Sequence, residues 1–205
     1  MKESKLRSAL TAVIDLIWAG RLWLLCSLPI VTLGAASAAL YYGVVKCIRH
    51  ERGRLTASFF RAFRDNFRPA TLLWLLCLGW LLLGWADLRA FQLMGVQKGD
   101  ILYFVSRLFF LPVPLLCPWL FAFVSRFQNT VFGSLKFTVW LALRHAGTTL
   151  LLGAELGVFL LIVWLLPQLL PLLPGMFCLL MSFSIEPVFR TMTVGQGGDD
   201  PWYNE

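Results

Sequence analysis

Four ionisable residues stand inside otherwise apolar runs of this chain: Asp15, Arg21, Arg107 and Glu155. If those runs cross a bilayer, each charge costs at least about 2.5–3.5 kcal/mol near the membrane centre on insertion scales. Such residues pair with one another or face a wet cavity. At 1.5 Å of rise per residue, Asp15 and Glu155 fall roughly 10–12 Å from the cytoplasmic edge, and Arg21 and Arg107 roughly 20 Å from it. Two acids below two arginines can form a polar substrate or proton path. They can equally form an ion-pair set that fixes helix register, with Arg107 snorkelling outward, and this second reading carries more weight.

No other arrangement of residues suggests chemistry. The chain contains no GxSxG elbow, HExxH pair, Walker A loop or glycine-rich dinucleotide fingerprint, so catalysis is not expected. Cys26, Cys47, Cys77, Cys117 and Cys178 show no CxxC spacing and imply neither a disulfide framework nor a metal site. His50 and His145 flank basic segments without a Cys or acidic pair at ligand spacing. No cofactor is expected.

The elements that would position the four charges are membrane helices. Of 205 residues, 59% are hydrophobic and 14% charged, whereas soluble domains carry about 25% charged residues. So few charges cannot cover a water-facing surface. The expected fold is all-α: one polytopic membrane domain over residues 1–190 and a cytoplasmic tail over 191–205. Spans of roughly 20 apolar residues are read at about 8–28, 33–49, 69–91, 101–125, 147–166 and 169–189.

The first two spans hinge on LCSLPIVTLGAASAALYY, residues 25–42. A proline removes a helical hydrogen bond and clashes with the preceding turn, so Pro29 ends one helix, and Thr32 and Gly34 suit a fresh start. The alternative is a single tilted helix over 22–45 and five spans in all. Charge favours six. Lys2, Lys5 and Arg7 precede the first span; Lys46, Arg49, Arg52, Arg54, Arg61, Arg64 and Arg68 follow the second; Arg126, Lys136 and Arg144 follow the fourth. Segment 86–100 has only Arg89 and Lys98, and 167–175 has no basic residue. Six spans place the three basic groups inside, with both termini cytoplasmic. This also accounts for the net charge of +7 without a nucleic-acid partner. A cleaved signal peptide is disfavoured by Asp15 and Arg21 in the first apolar run.

Two segments are too polar to cross and too apolar for plain loops. In TASFFRAFRDNFR, residues 56–68, Phe59, Phe60, Phe63 and Phe67 recur at helical spacing, with arginines on the remaining arc. In NTVFGSLKFTVWLALRH, residues 129–145, Val131, Leu135, Val139 and Ala142 can form one stripe. Both read as cytoplasmic amphipathic helices that lie on lipid headgroups or dock a protein partner. In the second span, Gly34, Ala35, Ala36, Ser37, Ala38 and Ala39 let a neighbouring helix approach closely. Gly34, Ser37 and Ala38, together with Phe59, Phe60, Phe63 and Phe67, are the candidate partner-binding residues. Gly153 and Gly157 form a GxxxG, a weak signal alone.

LPIVTLGAASAALYY, SFFRAFRDNFRPATLLWL and RFQNTVFGSLKFTVWLALRH, in that order, resemble blocks of the YesL-like family of bacterial integral membrane proteins. The likeness covers roughly residues 10–155. Arg21 departs from it, because the family often carries a neutral residue, commonly Asn, near that position. The resemblance implies a companion of ABC-type importers for plant cell-wall oligosaccharides, in contact with their permease subunits in the bacterial cytoplasmic membrane. It brings no functional residues with it. A self-sufficient transporter using the four charges, and an assembly factor or regulator of permeases, are the competing readings.

Overall fold

The computed structural model describes residues 2–50, 53–95, 100–127 and 129–193. The tail beyond 193, Arg52 and Lys98 lie outside them. Helix α1 runs Lys2–Ser27. A short 3-10 turn, Ile30–Thr32, follows an extended Pro29, and Thr32 Oγ1 donates to the carbonyls of Cys26 at 2.6 Å and Pro29 at 2.8 Å. These bonds satisfy carbonyls that the proline break orphans. Helix α2, Leu33–Gly43, continues through a π turn over Val44–Arg49. Two helices, not one, occupy the first 49 residues.

Helix α3 spans Leu55–Asp65 and α4 spans Phe67–Leu93, with Pro69 in its first turn. The expected single rod over 101–125 is instead α5, Ile101–Phe110, and α6, Pro112–Arg126. Pro112 begins the second segment because it lacks the amide that would bond back into the first. Helix α7, Val131–Arg144, starts at Thr130, whose hydroxyl accepts from the Gly133 amide at 3.2 Å. Helix α8 is Ala146–Leu165. Helix α9, Leu173–Thr193, begins four residues later than expected, because Pro167–Leu169 close a 3-10 turn first.

Six stretches are long and apolar enough to cross a bilayer: Leu10–Ser27, Ile30–Arg49, Phe67–Leu93, Ile101–Arg126, Ala146–Leu165 and Leu173–Met192. The protein is a polytopic α-helical membrane protein. Its fully buried centre includes Tyr41, Phe59, Trp119, Leu141, Leu152, Ile185 and Phe189.

The path of α3 departs from expectation. Leu55 and Phe59, near its start, pack on Gly43 at the far end of α2. Gly34, the second residue of α2, packs on the backbone of Ala70, the fourth residue of α4, and Trp74 Nε1 donates to the Ile30 carbonyl at 2.7 Å. Helix α3 therefore runs back along α2, and α4 begins beside the start of α2 and continues past it. Trp18 Nε1 donates to Thr56 Oγ1 at 3.0 Å and ties α1 to the same assembly. An amphipathic pattern specifies which face is buried, not what buries it.

Helix α7 packs its Val131 and Leu135 on the cluster of Ala35, Ala38, Ala70 and Leu73. In α7 the buried stripe is also rotated from the expected one: Ser134, Thr138, Leu141 and Ala142 face inward, while Val139 is exposed.

Candidate functional site: a buried tyrosine–glutamate–arginine lock

The four charges singled out in the sequence do not assemble. Arg107 Nη2 bonds Asp87 Oδ2 at 2.8 Å, with the two side chains 29% and 30% exposed. The Ser106 hydroxyl donates to the same oxygen. Tyr103 and Phe110 flank the guanidinium, at 5.3 and 5.9 Å from their ring centroids. Asp87 stands ten residues before the centre of the α4–α5 turn and Arg107 ten after it, so a hairpin brings them to one depth. That symmetry was the available signal.

Glu155 Oε1 accepts from Ser184 Oγ at 3.3 Å, joining α8 to α9, while its Oε2 is buried without a hydrogen-bond partner. Asp15 is half-buried and Arg21 exposed. Among the described residues the ion pairs Arg61–Asp65, Arg107–Asp87 and Arg126–Glu186 form, and none of them joins two of the four.

The deepest polar arrangement uses residues that sequence reading passed over. Tyr41 of α2 donates its hydroxyl to Glu186 Oε1 of α9 at 3.0 Å. Arg126, the last residue of α6, donates from Nη1 to Glu186 Oε2 at 2.7 Å, and the two side chains are 1% and 0% exposed. Phe127 and Phe189 lie against the guanidinium, with ring centroids 5.6 and 5.3 Å away. Phe189 in turn meets Trp119 and Phe127 edge-on. Trp119 Nε1 donates to Thr149 Oγ1 at 3.1 Å, extending the cluster to α8.

A second cation works beside it. Arg49 Nη1 donates to the Ser182 carbonyl at 2.6 Å and to Ser182 Oγ at 3.1 Å, and its guanidinium stacks on Phe183 at 4.5 Å. Two helical turns of α9 are therefore held from α2 and α6.

Chemically, one carboxylate receives a phenol and a guanidinium inside an aromatic shell, which offsets part of the desolvation of both ions. It ties α2, α6 and α9 in one register. The three residues escaped notice for separate reasons. Arg126 reads as a loop cation at a span end, Glu186 stands one residue past the charge-free run ending at Ile185, and Tyr41 reads as one more aromatic.

The candidate partner-binding residues are mostly spent inside the chain. Gly34 is pressed on Ala70, and Ala38 is fully buried against α4 and α6. Ser37 Oγ accepts from Trp23 Nε1 at 3.1 Å, from α1. Phe59 is fully buried, and Phe63 is half-buried against both core clusters. Only Phe60 and Phe67, 49% and 39% exposed, keep much free surface. The small-residue face serves the packing of α2 with α4 because close approach was needed there.

The fold and its buried ion pair define the class: a multi-pass helical membrane protein whose deepest ions tie helices together. A model for a family described as a protein of unknown function, DUF624, matches residues 16–88. The match runs from α1 into the last turns of α4, so it includes Tyr41 and Asp87 but neither Arg126 nor Glu186. No curated protein and no solved structure matches the chain.

Proposed function

We propose that this chain is a non-catalytic accessory subunit of an ABC-type oligosaccharide importer in the bacterial cytoplasmic membrane, packed against the permease subunits. Two lines support the reading. The three sequence blocks resemble the YesL-like family, and the DUF624 match falls over the first two of them. The observation that carries the non-catalytic part is the Tyr41–Glu186–Arg126 set, in which the most deeply buried charges are consumed by helix-to-helix contacts. Such a bundle serves as a scaffold.

The contact surface follows from what the fold leaves exposed. Phe60 and Phe67 stand beside the exposed Arg61, Arg64 and Arg68 on and after α3. On α7, Phe132, Trp140 and Leu143 are exposed beside Lys136 and Arg144. Aromatic and cationic faces of this kind dock a partner or lie on anionic headgroups. Affinity purification from a native membrane extract, followed by mass spectrometry, tests the proposal. Stoichiometric recovery of permease subunits is expected, and recovery of this chain alone contradicts it.

One observation favours a second reading, a self-sufficient transporter: Glu155 holds a carboxylate at membrane depth with one oxygen unpartnered. Solute or proton flux in reconstituted vesicles, abolished by Glu155→Gln, would establish it over the first.

A further inference from the structure

Arg61 and Arg64 of α3 and Arg68 in the first turn of α4 are all exposed. Asp65 answers Arg61 at 3.8 Å, whereas Arg64 and Arg68 enter no ion pair among the described residues. Phe60 and Phe67, both exposed, stand within a helical turn of Arg64.

This stripe stands at the edge of the hydrocarbon. Every residue of α4 from Pro69 to Ala86 is uncharged. The headgroup layer beyond such an apolar run is about 5–7 Å thick on each side. Arg64 precedes Arg68 by one turn, roughly 6 Å. Both cations therefore fall at the level of lipid phosphates.

An apolar track leads inward from them. Leu72, Leu76 and Trp80 follow Arg68 at intervals of four, so each neighbours the next on the helix surface. Leu72 and Leu76 are exposed. The track ends in a groove of about 580 Å³ whose lining includes Trp80 of α4, Leu108 and Phe109 of α5, and Val113 and Leu116 of α6, with no charged residue. The groove spans the break between α5 and α6, and Trp80 meets Phe109 with ring centroids 4.9 Å apart. Trp80 lies about 18 Å along α4 from Arg68, close to the roughly 15 Å depth of one hydrocarbon leaflet.

A cationic start, an apolar track and an apolar end complement one molecule with an anionic head and a long acyl chain. We propose that this surface holds an anionic phospholipid. Its phosphate sits on Arg64 and Arg68, its glycerol beside Phe67, and one acyl chain follows Leu72 and Leu76 into the groove at Trp80. An acidic peptide would satisfy the arginines but not the groove deep in the span. The assignment gives the α3 face to lipid, leaves the α7 face for a protein partner, and holds whether or not an importer is involved.

Native mass spectrometry of the full-length chain tests it, with delipidated protein in micelles titrated with dioleoyl phosphatidylglycerol or dioleoyl phosphatidylcholine. The first phosphatidylglycerol is expected to bind about ten-fold or more tighter than phosphatidylcholine, and Arg64→Gln combined with Arg68→Gln removes that preference. Leu108→Trp, a change at an exposed groove residue, weakens the dioleoyl lipid. It leaves dihexanoyl phosphatidylglycerol, whose chains are too short to reach the groove, bound as in the wild type. All three substituted side chains are exposed, so the packed core is untouched. Equal binding of the two dioleoyl lipids overturns the proposal. So does a preference indifferent to the arginine changes, a Leu108→Trp variant that binds the dioleoyl lipid like the wild type, or a second copy of the chain on this face in place of lipid.

Discussion

Arg126 and Glu186 meet at 2.7 Å with both side chains all but removed from the surface, although sixty residues separate them in the chain. The contact closes α6 on α9, and Tyr41 completes it from α2. Three helices that enter the bundle at different points of the sequence are thereby fixed in depth against one another.

Tyr41→Phe removes only the hydroxyl. Because Glu186 keeps its bond to Arg126, the loss should be about 1.5–3 kcal/mol, the range for a hydrogen bond to a charged group. Tyr41→Ala also removes a fully buried ring and should cost about 3–5 kcal/mol. Unfolding midpoints in mixed micelles, with a circular dichroism readout, separate the two.

Gly34 is where α2 and α4 touch through backbone. A Cβ there would press on the Ala70 carbonyl and on Trp74 Cβ, and backbone cannot swing aside as a side-chain tip can. Gly34→Ala should lower the unfolding midpoint and the yield of monodisperse protein. Gly79→Ala, on exposed α4 surface with nothing within 4 Å of the new methyl, should be neutral or mildly stabilising.

Arg107 belongs with Asp87, not with Glu155. A double-mutant cycle of Arg107→Ala with Asp87→Ala should show coupling of about 0.5–1 kcal/mol, modest because both side chains are nearly one-third exposed. The cycle of Arg107→Ala with Glu155→Ala should be additive within about 0.3–0.5 kcal/mol. Coupling in the second cycle and none in the first would mean that the helices pack differently.

Legibility followed the range of the physics involved. The break at Pro29, the start of α7 at Thr130 and the six apolar stretches are local effects, and sequence periodicity carries them. The α5–α6 break was also written locally, in LPVP, but a 25-residue apolar run absorbed it. The course of α3 was not legible, because Phe59 and Phe63 announce an inward face without naming α2 as its target. The ion pairs were the least legible. Depth arguments grouped Arg107 with Glu155 as membrane charges, yet pairing depends on which helices are neighbours. Arg126 and Glu186 stood at span ends, where a charge needs no explanation until a structure shows it buried.

The central claim is that the deepest charges act as a lock between helices. The coupling free energy between Arg126 and Glu186 tests it most directly, from unfolding of the wild type, Glu186→Ala, Arg126→Met and the double variant. Either single change should cost about 3–5 kcal/mol, since it strands a buried charge, and the double variant should cost less than the sum by more than about 1 kcal/mol. Single changes whose costs simply add, or that leave stability untouched, would contradict it.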